Sequence, residues 1–165
     1  MMRALLFAGA LCVIGALLEA FFAGKGVRAR LEQLRLPPYA VPFWAWMIIG
    51  GAYYAICFVV AYRVLLAPAS RLRSVALTLL VLVMFINALW NYFFFRSRNL
   101  SHAFLLGLPY SGCAVALFLL LLLRIDRTAA ACLAPYLIYL LYANIWGYRV
   151  WKLNEPDQAR SVESR

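Results

Sequence analysis

Residues that could carry out chemistry are few and scattered in this chain. Its four cysteines, Cys12, Cys57, Cys113 and Cys132, lie at irregular separations inside apolar stretches, and none belongs to a CxxC pair or a Cys/His cluster. Zinc sites need closely spaced ligands, so this pattern does not favour metal binding. We interpret the cysteines as small buried hydrophobes, and the sequence predicts no metal site and no required cofactor.

The arrangements typical of hydrolases and kinases are also missing from the sequence. There is no Ser/His/Asp set, no carboxylate pair and no glycine-rich phosphate loop. Almost no ionisable residue lies at membrane depth: Glu19 is close to the end of the first apolar run, and His102 is at the start of the fourth. A proton pump or ion channel would carry such groups at mid-membrane depth, so the sequence disfavours these classes too.

Amide, indole and phenol groups make up the remaining polar chemistry. Asn87 and Trp90 lie three residues apart and therefore share a helix face, and Asn144 and Trp146 lie close together near Tyr139. Two interpretations stay open. These groups either join helices by hydrogen bonds, or they line a pocket that orients a large apolar ligand.

The composition identifies the environment in which these residues must be positioned. The chain has 165 residues, of which 67% are apolar and 13% charged, whereas soluble domains are about half apolar and about a quarter charged. Its mean hydropathy is +0.84 and its net charge is +10. This composition excludes a disordered chain, a disulfide scaffold and a nucleic-acid-binding domain, and it predicts a polytopic membrane protein in contact with the lipid bilayer.

Five apolar runs are long enough to cross a bilayer, which takes about 20 residues. We predict an all-α protein with one five-helix membrane domain over residues 1–154 and a polar C-terminal tail over residues 155–165. Pro109 predicts a kink in the fourth helix, and the odd number of spans disfavours a simple inverted-repeat transporter. The predicted helices cover residues 4–23, 41–66, 72–95, 101–123 and 129–153.

The basic residues are divided unequally between the two ends of these helices. Ten Lys and Arg residues lie on the side of the long first loop, the third loop and the C-terminus, and six lie on the other side. The positive-inside rule therefore predicts that the first loop and the C-terminus are cytoplasmic. Because no extended targeting segment is apparent, we expect a bacterial cytoplasmic membrane, with a mitochondrial outer membrane as the alternative.

Three short motifs lie in order along the second, third and fifth predicted helices. The third helix carries Asn87, Trp90, Phe94, Phe95 and Arg98 in the pattern Asn-x-x-Trp-x-x-x-Phe-Phe-x-x-Arg. The other two motifs are Pro37-Pro38 followed by Trp46, and Pro135-Tyr136-Leu137 followed by the run from Tyr148 to Asn154. Together they resemble the signatures of the translocator proteins, also called tryptophan-rich sensory proteins (TspO/MBR) or peripheral benzodiazepine receptors.

The resemblance implies a five-helix bundle, usually a homodimer, with a cavity that opens toward the long first loop. In the family this cavity takes porphyrins, sterols and aromatic drug-like molecules. Carried over by position, Trp46 and Asn87 would be the polar contacts to the ligand and Trp90 would wall the pocket. The full set of ligand-binding residues implied in this way is Trp46, Asn87, Trp90, His102, Tyr139, Ala143, Asn144 and Trp146.

The chain also departs from the family pattern. The first loop, over residues 26–36, lacks the tryptophans that relatives carry there. On the fifth helix, Tyr139 and Gly147 replace a tryptophan and an asparagine, and Asn144 offers an amide one turn earlier. The sterol-recognition pattern is incomplete because Ile145 replaces its first residue. These residues therefore do not predict a cholesterol site.

We expect an integral membrane receptor or transport-type protein that binds a porphyrin, heme or a similar hydrophobic ligand, with a sensory or regulatory role. The basic first loop would attract the propionates of a porphyrin. A first alternative is an enzyme that degrades porphyrin under light through Trp46 and Trp146, although a role without catalysis is favoured.

A second alternative is a regulatory membrane partner without a small ligand. The first helix carries small residues at four-residue spacing, which suits close helix packing. That packing would lie either inside the molecule or at a dimer interface. The small residues are Ala8, Cys12, Ala16 and Ala20.

Overall fold

The computed structural model describes the backbone of residues 1–163 and the side chains of residues 1–155. The chain is 86% helical, and no strand occurs in the described residues, which confirms the predicted all-α fold. Two π-helical turns, Tyr92–Arg96 and Leu121–Ile125, extend α4 and α5. The helices are α1 Met2–Ala23, α2 Val27–Glu32, α3 Phe43–Leu66, α4 Arg71–Asn91, α5 Leu100–Leu120 and α6 Arg127–Glu163.

Five of these helices are long and apolar enough to cross a membrane, as the sequence predicts. With the two π-helical turns counted as part of α4 and α5, the observed ends of the spans lie within two residues of the predicted ones, except at the end of α6. That helix continues to Glu163, so most of the predicted tail has a helical backbone, while residues 164 and 165 lie outside the described residues. The short helix α2, inside the first loop, was not predicted.

Side-chain caps fix where three of the spanning helices begin. The Ser70 hydroxyl accepts a hydrogen bond from the Arg73 amide at the start of α4, and Asn99 accepts one from the His102 amide at the start of α5. The Asp126 carboxylate accepts from the Ala129 amide at the start of α6. Each cap satisfies a backbone donor that the first helical turn leaves without a partner.

The five spanning helices form a closed ring. Helix α1 packs against α3 and α4, α4 packs against α5, α5 against α6, and α6 closes the ring against α3. The short connections at residues 67–70 and 126 define what we call the short-turn end of the bundle. The connections at residues 24–42 and 97–99 define the loop end.

Small and branched side chains fill the short-turn end. Val60, Ala61, Ala76, Ala114 and Leu117 are all completely buried. A void between side chains at this end measures only about 10 Å³, which is about the volume needed for one water molecule. The main hydrophobic core of the protein therefore lies at this end.

The loop end contains larger side chains, and hydrogen bonds from α6 hold the first loop in place there. The Asn154 side chain, on α6, accepts a hydrogen bond from the Arg35 amide and donates one to the Arg35 carbonyl, both at 3.0 Å. The Tyr142 hydroxyl accepts from the Val41 amide and donates to the Tyr39 carbonyl. Helix α6 therefore holds the first loop at two points.

The small residues of α1 divide between the interior and the surface. Ala8 is completely buried, and the Cys12 thiol donates to the Tyr54 carbonyl at 3.7 Å. Ala16 and Ala20 are exposed. The first half of this predicted ridge therefore packs inside the molecule.

Candidate functional site

A cavity of about 230 Å³ lies inside the loop end of the bundle. Helices α3, α4, α5 and α6 supply most of its lining, α2 contributes Val27 and Leu31, and α1 contributes Glu19. Its wall is mainly apolar and aromatic, with a few amide, phenol and indole groups, which is the usual character of a small-molecule site. The predicted position of a cavity on the side of the first loop agrees with this location.

Seven of the eight predicted site residues line this one cavity. They come from three different helices, so the fold brings together what the sequence separates by up to 100 positions. The seven residues are Trp46, Asn87, Trp90, Tyr139, Ala143, Asn144 and Trp146.

His102, the eighth predicted residue, lies elsewhere. Its side chain is exposed and its ring stacks on Phe93 at 5.7 Å between centroids. The Asn99 side chain caps the start of α5. In the first turn of that helix, Ala103 lines the cavity and the neighbouring His102 does not. The structure therefore does not support His102 as a ligand contact.

Indole and phenyl rings form a continuous aromatic wall on one side of the cavity. The rings of Trp46 and Trp146 lie 4.9 Å apart between centroids, and Trp146 stacks on Phe94 at 5.5 Å. Phe94 in turn stacks on Trp90 at 4.7 Å. Four aromatic residues from α3, α4 with its π-turn, and α6 thus form a row of rings in contact.

The indole nitrogen of Trp146 has no hydrogen-bond partner among the described residues. Its Nε1 atom is buried, and the whole side chain is only 2% exposed. Burying an N–H group without a partner costs free energy, and most such groups in folded proteins are satisfied. Since Trp146 lines the cavity, this indole is a donor in the cavity wall that no described residue satisfies.

The amides both line the cavity and tie the helices together. Asn87 Nδ2, on α4, donates to Glu19 Oε2 on α1 at 2.9 Å. Asn144 Nδ2 donates to the Ser111 hydroxyl on α5 and to the Leu140 carbonyl, both at 2.8 Å. The two interpretations that the sequence leaves open are therefore compatible for these residues.

Glu19 is an acidic residue of the cavity wall to which the sequence motifs assign no role. Its carboxylate also accepts a hydrogen bond from the Tyr54 hydroxyl at 2.6 Å. The signal was present, because an acidic residue within a membrane span is costly and usually functional. Its partners lie 35 and 68 positions away in the chain, so the pairing could not be read from spacing.

Tyrosines separate the cavity from the core at the short-turn end. Tyr110 and Tyr136 are hydrogen-bonded to each other through their hydroxyls, and both are buried. Tyr53 packs against Tyr136 with 5.1 Å between ring centroids. All three residues line the cavity, and they form its inner limit.

The cavity reaches the outer surface of the bundle at α3. Phe43 and Met47 line it, yet their side chains are 37% and 64% exposed. Both residues belong to a membrane-spanning helix, so this opening is directed to the lipid phase. Near the first loop, Val27 and Leu31 of α2 cover the cavity instead.

The charges near the loop end are mainly basic. Burial and the neighbouring Arg98 guanidinium lower the pKa of Arg30 in α2, which nevertheless remains cationic at neutral pH. Arg28 in the same helix pairs with Glu32 at 3.0 Å. Among the described residues that line the cavity, Glu19 is the only acidic or basic side chain.

The sequence of this chain is similar to one protein family and to several of its members. The sequence profile of the TspO/MBR family matches residues 8–152. The translocator protein of Ovis aries is 29% identical over 143 residues, which cover 86% of this chain and 83% of that protein. The translocator protein of Bos taurus is 29% identical over 145 residues, covering 86% and 85%. Protein CrtK of Rhodobacter capsulatus is 26% identical over 128 residues, covering 77% and 79%.

Proposed function

We propose that this chain, which belongs to the TspO/MBR family, is a membrane receptor that binds a porphyrin or a similar flat hydrophobic ligand in the loop-end cavity. One observation carries the proposal. Trp46, Asn87, Trp90 and Trp146, which are distant in sequence, converge on a single cavity. The chain is an integral multi-pass membrane protein, so the cavity is open to ligands that dissolve in lipid.

The aromatic wall supplies the binding energy in this proposal. Burying a flat apolar ligand contributes about 25 cal/mol per Å² of apolar area removed from water, and stacking on Trp46 and Trp146 adds to it. The unpartnered Trp146 indole would then orient the ligand by donating to an acceptor on its edge.

The size of the cavity defines how such a ligand would fit. Its 230 Å³ is below the roughly 300–1,000 Å³ of common drug-sized sites. A whole porphyrin therefore would not be enclosed. Part of it would extend through the opening beside Phe43 and Met47 into the lipid.

Titration of tryptophan fluorescence tests the proposal. The purified protein is titrated with protoporphyrin, heme and a sterol, and the Asn87→Ala and Trp146→Phe variants are compared with Trp44→Phe. Trp44 is 66% exposed and does not line the cavity, so its variant is the matched control. We expect saturable quenching by porphyrin that Trp146→Phe weakens and Trp44→Phe leaves intact. Quenching of the same strength in both variants would contradict a ligand in this cavity.

Electrostatic attraction from the first loop is a separate part of the proposal. Arg28 and Arg30 of α2, with Arg35 beyond it, would attract the propionates of a porphyrin. Neutralising all three should weaken binding of protoporphyrin more than binding of its dimethyl ester. Equal losses for both compounds would contradict this role of the loop.

The contact between Trp46 and Trp146 supports a second candidate function, the light-dependent breakdown of porphyrin. Two indoles 4.9 Å apart in the cavity wall would lie against a bound macrocycle. Illumination in the presence of oxygen should then yield a bilin-like product that Trp46→Phe or Trp146→Phe abolishes. Quenching without a product would leave binding as the function.

We also propose that the loop end lies on the cytoplasmic side of the membrane. This end carries the larger share of the basic residues, as the positive-inside rule requires. A Lys25→Cys variant, made in a background without the native cysteines, should resist a membrane-impermeant thiol reagent added to intact cells. Labelling in intact cells would indicate the opposite orientation.

A further inference from the structure

Glu19 occupies an unusual place for an acidic residue. It lies on α1 one turn before the end of that helix, inside a membrane span and in the cavity wall. The other acidic residues with described side chains are peripheral: Glu32 is in α2, Asp126 is in a turn, and Glu155 is at the last residue of a span.

Two donors from different helices hold the Glu19 carboxylate in place. The hydroxyl of Tyr54, on α3, and Nδ2 of Asn87, on α4, both donate to Oε2, at 2.6 and 2.9 Å. Gly15, one turn earlier on α1, lies where these helices approach each other. A Cβ atom at Gly15 would lie 2.6 Å from Cε of Met84 and 3.4 Å from Cε1 of Tyr54.

The carboxylate has no cationic partner in the described part of the chain. The ion pairs there join Arg28 to Glu32, Arg63 to Asp126, and Lys152 to Glu155, and no Lys or Arg lines the cavity. A carboxylate without a paired cation in an apolar environment is expensive. A neutral glutamine could also accept the two hydrogen bonds, so tying helices together does not by itself account for an acidic residue at this position.

We propose that Glu19 forms a subsite for a cationic N–H group, such as a protonated amine, on an aromatic ligand in the cavity. This inference deepens the proposed function and rests on it, because both place the ligand in the same cavity. An ionised carboxylate offers about four lone-pair sites, of which Tyr54 and Asn87 use two. The ligand nitrogen would take a further site.

The surrounding residues suit such a nitrogen. Trp90 follows Asn87 by one helical turn, and its ring, like that of Phe95, lines the cavity. Aromatic faces attract cations when water is excluded. Charge also sets the orientation of a porphyrin in the same cavity, because Glu19 repels propionates and the basic first loop attracts them. Glu19 therefore attracts the cationic end of a ligand, and the basic residues of the first loop attract its anionic end.

The test compares two probes that differ in one group, 2-(naphthalen-1-yl)ethylamine and 2-(naphthalen-1-yl)ethanol. Binding of each is measured by isothermal titration calorimetry at neutral pH, with the full-length protein in lipid nanodiscs. The proteins are the wild type, Glu19→Gln and Glu32→Gln. Glu32 is an exposed glutamate outside the cavity, so its variant removes the same charge elsewhere.

We expect the wild type and Glu32→Gln to bind the amine at least about tenfold more tightly than the alcohol, because hydrogen bonds between charged groups are the stronger ones. In Glu19→Gln the preference should disappear while the affinity for the alcohol persists, which also shows that the variant is folded. Equal affinities of the wild type for the two probes, or a preference that survives in Glu19→Gln, would overturn the subsite alone. Failure of the wild type to bind either probe, together with failure to bind porphyrin, would overturn the proposed function as well.

Discussion

The two ends of this bundle use the same five helices in different ways. At the short-turn end, alanines such as Ala61, Ala76 and Ala114 bring the helices together and leave a void of only about 10 Å³ between side chains. At the loop end, the facing positions carry indole and phenyl rings, and a cavity remains between them. The difference shows that the short-turn end is closely packed, whereas the loop end leaves room for a ligand.

The connections between helices follow the same division. A single residue, Asp126, joins α5 to α6 at the short-turn end, where Arg63 pairs with it at 2.8 Å. At the loop end, α1 and α3 are joined by residues 24–42, which α6 holds through Asn154 and Tyr142. The long connection covers the cavity, whereas the short one only reverses the chain.

Replacing an alanine by phenylalanine should show the largest difference between the two ends. Ala114→Phe inserts a ring where a void of only about 10 Å³ exists, and overpacking of this kind costs about 1–3 kcal/mol or more, so we expect little folded protein. Ala143→Phe places the same ring in the cavity and should fold, with ligand binding reduced at least about tenfold. Yield of monodisperse protein and porphyrin titration measure the two effects. Equal folding of both variants would contradict the contrast.

Removing bulk should give the next largest difference. Leu117 is completely buried in the core, and Leu117→Ala should lower the free energy of unfolding by about 2–5 kcal/mol. Leu140 borders the cavity and has fewer partner atoms to lose on that side, so Leu140→Ala should cost less than half as much. Reversible denaturation in detergent measures both, and equal costs would mean that the loop end is as tightly packed as the core.

Releasing the first loop from α6 should lower the stability of the protein by a smaller amount and make the loop itself more accessible to a protease. Asn154→Ala removes both hydrogen bonds to the Arg35 backbone, and a backbone group left without its partner costs about 1–3 kcal/mol. Limited trypsin digestion should then cut faster after Arg28, Arg30 or Arg35. Lys152→Ala, which changes an exposed residue close by, should leave the cutting rate unchanged.

The ion pair at the short-turn end should give the smallest effect, and only in acid. Burial opposes ionisation of Asp126, but hydrogen bonds from Arg63 and the Ala129 amide outweigh it, so the pKa of this carboxyl is lowered. A lowered folded-state pKa adds stability above the unfolded value of about 3.9, and this stability is lost as the pH falls through the folded value. The melting temperature should therefore be level from pH 8 to 5 and drop below pH 4. Asp126→Asn, which keeps the helix cap, should drop less steeply there.

The sequence predicts the spans well because lipid imposes a length and a composition on each helix. It predicts the end of α6 poorly, since that rule does not apply to the polar residues 154–163, which extend the helix beyond the apolar run. The short helix α2 could not be predicted because six residues are too few to show a helical periodicity. It begins after Gly26, which has a positive φ of 87°. The family resemblance, confirmed by the match to residues 8–152, rested on three motifs.

The site is predictable only where a motif carries a position over. The motifs correctly predicted seven residues that line the cavity. They also included His102, which lies in the first turn of α5 after the Asn99 cap and does not line it. They gave no role to Glu19, whose partners come from two other helices. They also could not show that Asn154 fastens the first loop, because this contact spans 119 positions.

Trp146 and Asn154 lie on one uninterrupted helix, eight residues apart, which is about 12 Å along its axis. A shift or rotation of α6 therefore moves the indole in the cavity and the anchor of the first loop by related amounts. The wall of the cavity and the anchor of the first loop are thus parts of one continuous helix.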